Sequence, residues 1–173
     1  MVVKSWEASG ESKSIIPHDT EGVVRVSRRL VRIYADVENA LGMPPEKLIE
    51  HVSERIGSPS NCLAFLAKRN RLALEGEWRE SGFQVCIAGD GPDGADRRLI
   101  THIVHDIQLD SENGRPPGTI ILVATGDGVY KDVLKVAERL GWHTIVIGWG
   151  SISKALQTAA HESVDLAAVT ADG

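Results

Sequence analysis

The chain has 173 residues with 19 Lys and Arg against 24 Asp and Glu, a formal net charge of −5, and is 42% apolar but only 5% aromatic. That length suits one domain around one aliphatic core. The acidic balance excludes a protein that grips nucleic acid by its overall charge, so any such binding needs a local basic patch or bridging metal ions, and two cysteines, Cys62 and Cys86, exclude a disulfide framework and fit no zinc spacing.

Residues 1–27 are polar, with glycines and serines throughout, and read as a tail or lead-in. The domain is expected over residues 28–173. It opens with a strand, Leu30 to Ala35. Pro44 and Pro45 then start a helix that carries Leu48, Ile49, Val52 and Ile56 at helical spacing. A second helix is expected from about Pro59 to Glu80. The strand Phe83 to Ala88 follows, then a helix with Leu99, Ile100, Ile103, Val104 and Ile107. The strand Thr119 to Ala124 leads to a helix with Val129, Val133, Leu134, Ala137 and Leu140. That helix stops at Gly141, a residue suited to the position after a helix end. A strand Thr144 to Ile147, a helix from Ser151 with Ile152, Ala155, Leu156 and Ala159, and a weaker strand Val164 to Val169 complete the chain.

The first four strands are nearly continuous apolar runs, the pattern of strands buried on both faces. Strands alternating with helices imply right-handed crossovers. The expected fold is a single three-layer α/β domain, with a roughly five-stranded, mostly parallel sheet and helices on both faces. No segment approaches the roughly 20 apolar residues of a membrane span, and the first residues lack an apolar signal segment. Together with low cysteine use, this leads to the expectation of a cytoplasmic protein without a membrane partner.

In such sheets the functional crevice lies outside the carboxyl ends of the strands. The first strand runs into Asp36-Val37-Glu38-Asn39, and the third into Thr125-Gly126-Asp127-Gly128. The second runs into Gly89-Asp90-Gly91-Pro92-Asp93-Gly94-Ala95-Asp96. Taken singly, Asp127 and Asp93 are as well explained as helix caps. Together, Asp36, Asp96 and Asp127 form a candidate carboxylate cluster. Clustered carboxylates repel, and a divalent cation with oxygen ligands, magnesium or manganese, relieves that repulsion. The glycine turn also matches G-x-G-x-x-G, a dinucleotide fingerprint. Against that reading, Asp90 and Asp93 repel a pyrophosphate, Pro92 lacks an N–H, and the turn follows the second strand.

Other chemistry has little support. His102 and His105 share a helix but lack matching ligands, and no nucleophile elbow or phosphate loop is present. The basic groups around Arg25 to Arg32, Lys68 to Arg71 and Arg97-Arg98 read as solvated faces. Arg97 and Arg98 are set apart because they adjoin Asp96 and could meet a phosphate backbone. Trp142 and Trp149 flank the fourth strand, where they mark either an interface with a protein partner or second copy, or core.

These segments resemble a family. Ile33-Tyr34-Ala35-Asp36-Val37-Glu38-Asn39 resembles the "φ-D-x-E-N" opening of NYN domains, within the PIN-like nuclease superfamily. Gly94 to Leu99 resembles the "K-G-V-D-x-x-L" helix start, and Thr119 to Tyr130 the strand and "S-G-D-x-D-F" turn. Leu140 to Gly148 resembles "L-G-x-x-V-x-φ-x-G", and Leu156 to Leu166 the closing "L-x-x-A-A-D-x-F-I-D-L". The resemblance implies a metal-dependent endoribonuclease. Its catalytic and metal-binding residues would be Asp36, Asp96 and Asp127, with magnesium or manganese as cofactor and RNA as partner. Asn39 would support the first aspartate, and Asn39, Thr125 and Arg97 would face substrate. Two departures favour the alternative of a weak or inactive module that binds RNA or a protein. Val129 replaces the second acid of the "D-x-D" pair, and His161 replaces the acid of "A-A-D".

Overall fold

The structure is a computed structural model that describes residues 29–89, 91, 93–126 and 128–171. The tail expected over residues 1–27 lies outside them. Six strands, β1 (Val31–Asp36), β2 (Asn61–Ala67), β3 (Gln84–Ala88), β4 (Thr119–Val123), β5 (His143–Gly148) and β6 (Glu162–Asp165), form one sheet. Their order is β3-β2-β1-β4-β5-β6, and every pairing is parallel. The helices are α1 (Pro45–Arg55), α2 (Arg71–Glu80), α3 (Gly94–Glu112), α4 (Lys131–Arg139), α5 (Lys154–Ala159) and α6 (Leu166–Ala171).

The strand period of two sorts the central strands into two faces. Tyr34, Leu63, Phe65, Ile120, Leu122 and Val146 pack against Leu99, Ile103 and Ile107 of α3 and Val133, Leu134 and Ala137 of α4. Ile33, Ala35, Ala64, Leu66, Ile121 and Val123 pack instead against Leu48 and Val52 of α1, Trp78 of α2 and Leu166 of α6. Burying apolar area on both faces is the main source of stability in such a three-layer domain.

Two expectations are corrected. The helix expected from Pro59 to Glu80 is a strand, β2, then a short 3₁₀ turn, Lys68–Asn70, and then α2. Leu63 to Ala67 are all buried between β1 and β3, and a segment enclosed by two strands gains a ladder on each side. The sheet therefore has six strands where five were expected. The closing segment also differs. Its strand ends at Asp165, whose Oδ1 accepts from the N–H groups of Gly150, Ala167 and Ala168, and the chain turns directly into α6. At the other punctuated end, Gly141 has φ 86° after α4, and its N–H and that of Trp142 return to the Glu138 and Ala137 carbonyls.

Of the two tryptophans that flank β5, Trp142 belongs to the core and Trp149 is partly buried against it, packing on the second cluster beside Gly42.

Candidate functional site

The strand order reverses between β1 and β4, so the crevice of an open parallel sheet opens at the carboxyl ends of those two strands. Asp36 is the last residue of β1. Its side chain shares a face with Arg32 and Tyr34, the face covered by α3 and α4. Asp36 is only 1% exposed. A buried carboxylate needs donors, and three groups supply them. Tyr130 Oη donates to Asp36 Oδ2 at 2.6 Å. Asn39 Nδ2 also donates to Oδ2, and the Asn39 N–H approaches Oδ1 at 3.3 Å.

Tyr130 closes the 3₁₀ turn Gly128–Tyr130 between β4 and α4 and is fully buried. The same hydroxyl lies 2.7 Å from Asp96 Oδ1. Asp96 sits in the first turn of α3, where the helix N-terminus favours negative charge. Strand β1, helix α3 and the β4–α4 turn thus bring two carboxylates to one phenol. Burial, and then the Asp36 and Asp96 carboxylates, push the Tyr130 ionisation well above its ordinary value, so the phenol stays protonated. One hydroxyl proton serves two carboxylate oxygens.

Asp96 also lines a cavity of about 340 Å³ with Glu38, Asn39, Arg69 and Asp93. Glu38 is anchored away from Asp36, since Asn70 Nδ2 donates to its Oε1 and Arg69 Nη2 lies 3.5 Å from its Oε2. Thr125 Oγ1 donates to the Asn39 carbonyl at 2.8 Å, and the Thr125 carbonyl accepts from Ser153 N–H at 2.8 Å. Thr125 therefore ties together the loops that leave β1 and β5. Arg97 is exposed on α3, one residue past Asp96. Asp127 lies outside the described residues.

Several expectations resolve differently. Asp93 does not cap α3 through its side chain; it adopts φ 58°, a left-handed conformation that aspartate tolerates. The glycine turn follows β3, the edge strand, and not the switch point between β1 and β4. His161 lies at the amino end of the β5–β6 pair, where its Nδ1 accepts from the Thr144 N–H. It cannot replace a ligand at the carboxyl end. His102 packs on Phe65 with ring centres 5.2 Å apart, whereas His105 is exposed, so they are not a ligand pair. Val129 is 40% exposed.

A second polar cluster, at the amino end of β1, went unseen in the sequence. Arg32 was read there as part of a solvated face, but it is buried under α3. Its Nη1 lies 3.0 Å from Asp106 Oδ2, which also accepts from Tyr34 Oη at 2.7 Å. Its Nη2 stands 2.7 Å from Asp110 Oδ2 but out of line for a hydrogen bond. Burial opposes the Arg32 charge, yet the hydrogen bond with Tyr34 and the two carboxylates outweigh it and hold the guanidinium above its ordinary value. The signal was the spacing. Arg32 and Tyr34 share the face of Asp36, and Asp106 and Asp110 are one helical turn apart.

Among the described residues no three His, Cys, Asp or Glu side chains form a group that could hold a metal ion. The pair Asp36 and Asp96 nevertheless fits a small hard cation. Its donors are carboxylate oxygens, the ligand type such a cation prefers. Magnesium also commonly binds through one or two carboxylates while keeping its waters. No family model matches the chain, and no curated protein matches it in sequence.

Proposed function

We propose that the chain is a divalent-cation-dependent endoribonuclease, working in the cytoplasm. The observation that carries this reading is the convergence of Asp36 and Asp96, from different elements, on one buried hydroxyl at the switch point of the sheet. The resemblance of Ile33 to Asn39 and of Gly94 to Leu99 to NYN segments supports RNA as the substrate. Asp36, oriented by Asn39, and Asp96 would hold one magnesium or manganese ion, with Asp127 as a third carboxylate. The bound ion would activate a water and stabilise charge on the phosphoryl oxygens. Arg97 would meet the substrate backbone from the exposed start of α3.

The test is cleavage of labelled RNA by pure protein in manganese. Asp36→Asn and Asp127→Asn should each lower the rate by about 100-fold or more. Equal cleavage by wild type and both variants would assign the activity to a contaminant.

A second reading is a non-catalytic PIN-like module that binds RNA or a protein partner. Val129, where the resembled motif has an acid, and the engagement of both carboxylates by Tyr130 favour it. Manganese that neither binds nor promotes cleavage would select this reading.

A further inference from the structure

We infer that a groove between α4 and α5 is the track on which a single RNA strand lies as it approaches the Asp36–Asp96 cleft. This rests on the reading of that cleft as a phosphodiester site. The groove, of about 430 Å³, is lined by Lys131, Lys135, Lys154, Ala155, Thr158 and Ala159. Three lysines therefore line one concavity that, among the described residues, has no acidic side chain in its lining.

Three observations set this groove apart. First, many basic side chains of this acidic protein are neutralised. Lys47 pairs with Glu50, Arg69 with Glu38, Arg71 and Arg79 with Glu75, and Arg115 with Asp110. Lys131, Lys135 and Lys154 are exposed and form no ion pair among the described residues. Leaving three like charges together costs repulsion that a polyanion removes. Second, the charges are ordered. Lys131 and Lys135 stand one turn apart on α4, hence on one face, and Lys154 opens α5 across the groove. Ala155 and Ala159 keep the floor small, and the lysine stems add apolar area along which a flexible strand can lie. Third, the groove and the cleft share a wall. In the turn Gly128–Tyr130, a Cβ on Gly128 would sit 3.6 Å from Ala155 Cβ on the groove side, while Tyr130 reaches Asp36 and Asp96 on the other. Lys131 is the next residue.

Phosphates neutralised by these lysines release counterions, so binding falls with salt by a log–log slope of about 0.7 per contact on a single strand. The experiment is fluorescence anisotropy of a labelled single-stranded oligouridine in EDTA, which removes cleavage from the readout. Wild type is compared with Lys131→Gln/Lys135→Gln/Lys154→Gln and, as a control on α1, Lys47→Gln. Melting curves establish that each variant folds. The triple variant should bind at least about tenfold more weakly and lose about two units of salt slope, whereas Lys47→Gln should bind as wild type. A triple variant with unchanged affinity and slope overturns the proposal. Displacement of the strand by polyglutamate of equal charge as readily as by unlabelled RNA also overturns it, since the groove would then serve an acidic protein. Lysine-dependent binding without any cleavage in manganese would refute the nuclease reading and leave the groove standing.

Discussion

Replacing Tyr130 by Phe removes one oxygen and nothing else from the centre of the candidate site. The hydroxyl lies 2.6 Å from Asp36 Oδ2 and 2.7 Å from Asp96 Oδ1, in a residue with no solvent exposure. A hydrogen bond to a charged group contributes about 1.5–3 kcal/mol. Asp36 keeps only its Asn39 donors, one of them long at 3.3 Å. In metal-free buffer Tyr130→Phe should therefore destabilise the protein by about 1.5–3 kcal/mol, or about 3–12 °C in Tm for a domain of this size. Manganese should restore part of that loss, because a cation takes over the neutralisation that the hydroxyl began. Tyr34→Phe is the matched control. It also removes a buried hydroxyl from a carboxylate, Asp106 at 2.7 Å, but at the amino end of β1. It should destabilise comparably and show no extra response to manganese. Differential scanning fluorimetry with and without manganese reads all four quantities. A Tyr130→Phe protein that melts within about 1 °C of wild type in metal-free buffer would refute the claim that this hydroxyl holds the two carboxylates together.

Three further predictions follow from the same geometry. Arg32→Met removes the nearer cation from buried Asp110, leaving Arg115 at 3.3 Å, and should cost about 3 kcal/mol by urea unfolding, part of which Arg32→Met/Asp110→Asn recovers. Val129→Asp places an acid at a half-exposed position beside the β4 exit and should tighten manganese binding roughly tenfold by calorimetry, with unchanged affinity counting against the site. Burial pushes the Cys62 thiol from 9.0 to about 11. Its alkylation at pH 8 should therefore run roughly 100-fold slower than in the unfolded chain. The same raised value makes stability fall as pH climbs from 9 towards 11, because the unfolded chain loses this proton first.

How much of this was legible depends on how local each feature is. Strands β1, β3, β4 and β5 announce themselves as apolar runs bounded by turn residues, and the parallel sheet follows from their alternation with helices. Strand β2 is different. Cys62 to Ala67 is rich in Leu and Ala, which favour helices, and it runs into a true helix at Arg71. Only its enclosure between β1 and β3 makes it a strand, and pairing partners are not written in a local window. The same distinction holds at the site. Asp36 could be picked out because it stands at a strand exit, and Asp96 mainly because Gly94 to Leu99 resembles the NYN helix start. Tyr130 could not, because its role depends on the β4–α4 turn reaching both β1 and α3. Arg32 was misread for a related reason: a basic residue in a basic stretch looks solvated until the helix above it supplies Asp106 and Asp110.

The central claim is that Asp36 and Asp96 hold a divalent cation. Isothermal titration of manganese into wild type, Asp36→Asn and Asp96→Asn tests it without reference to any substrate. Wild type should bind one ion per chain, and each substitution should weaken binding by at least about tenfold. Absence of heat at millimolar manganese, or equal binding by all three proteins, would contradict the account.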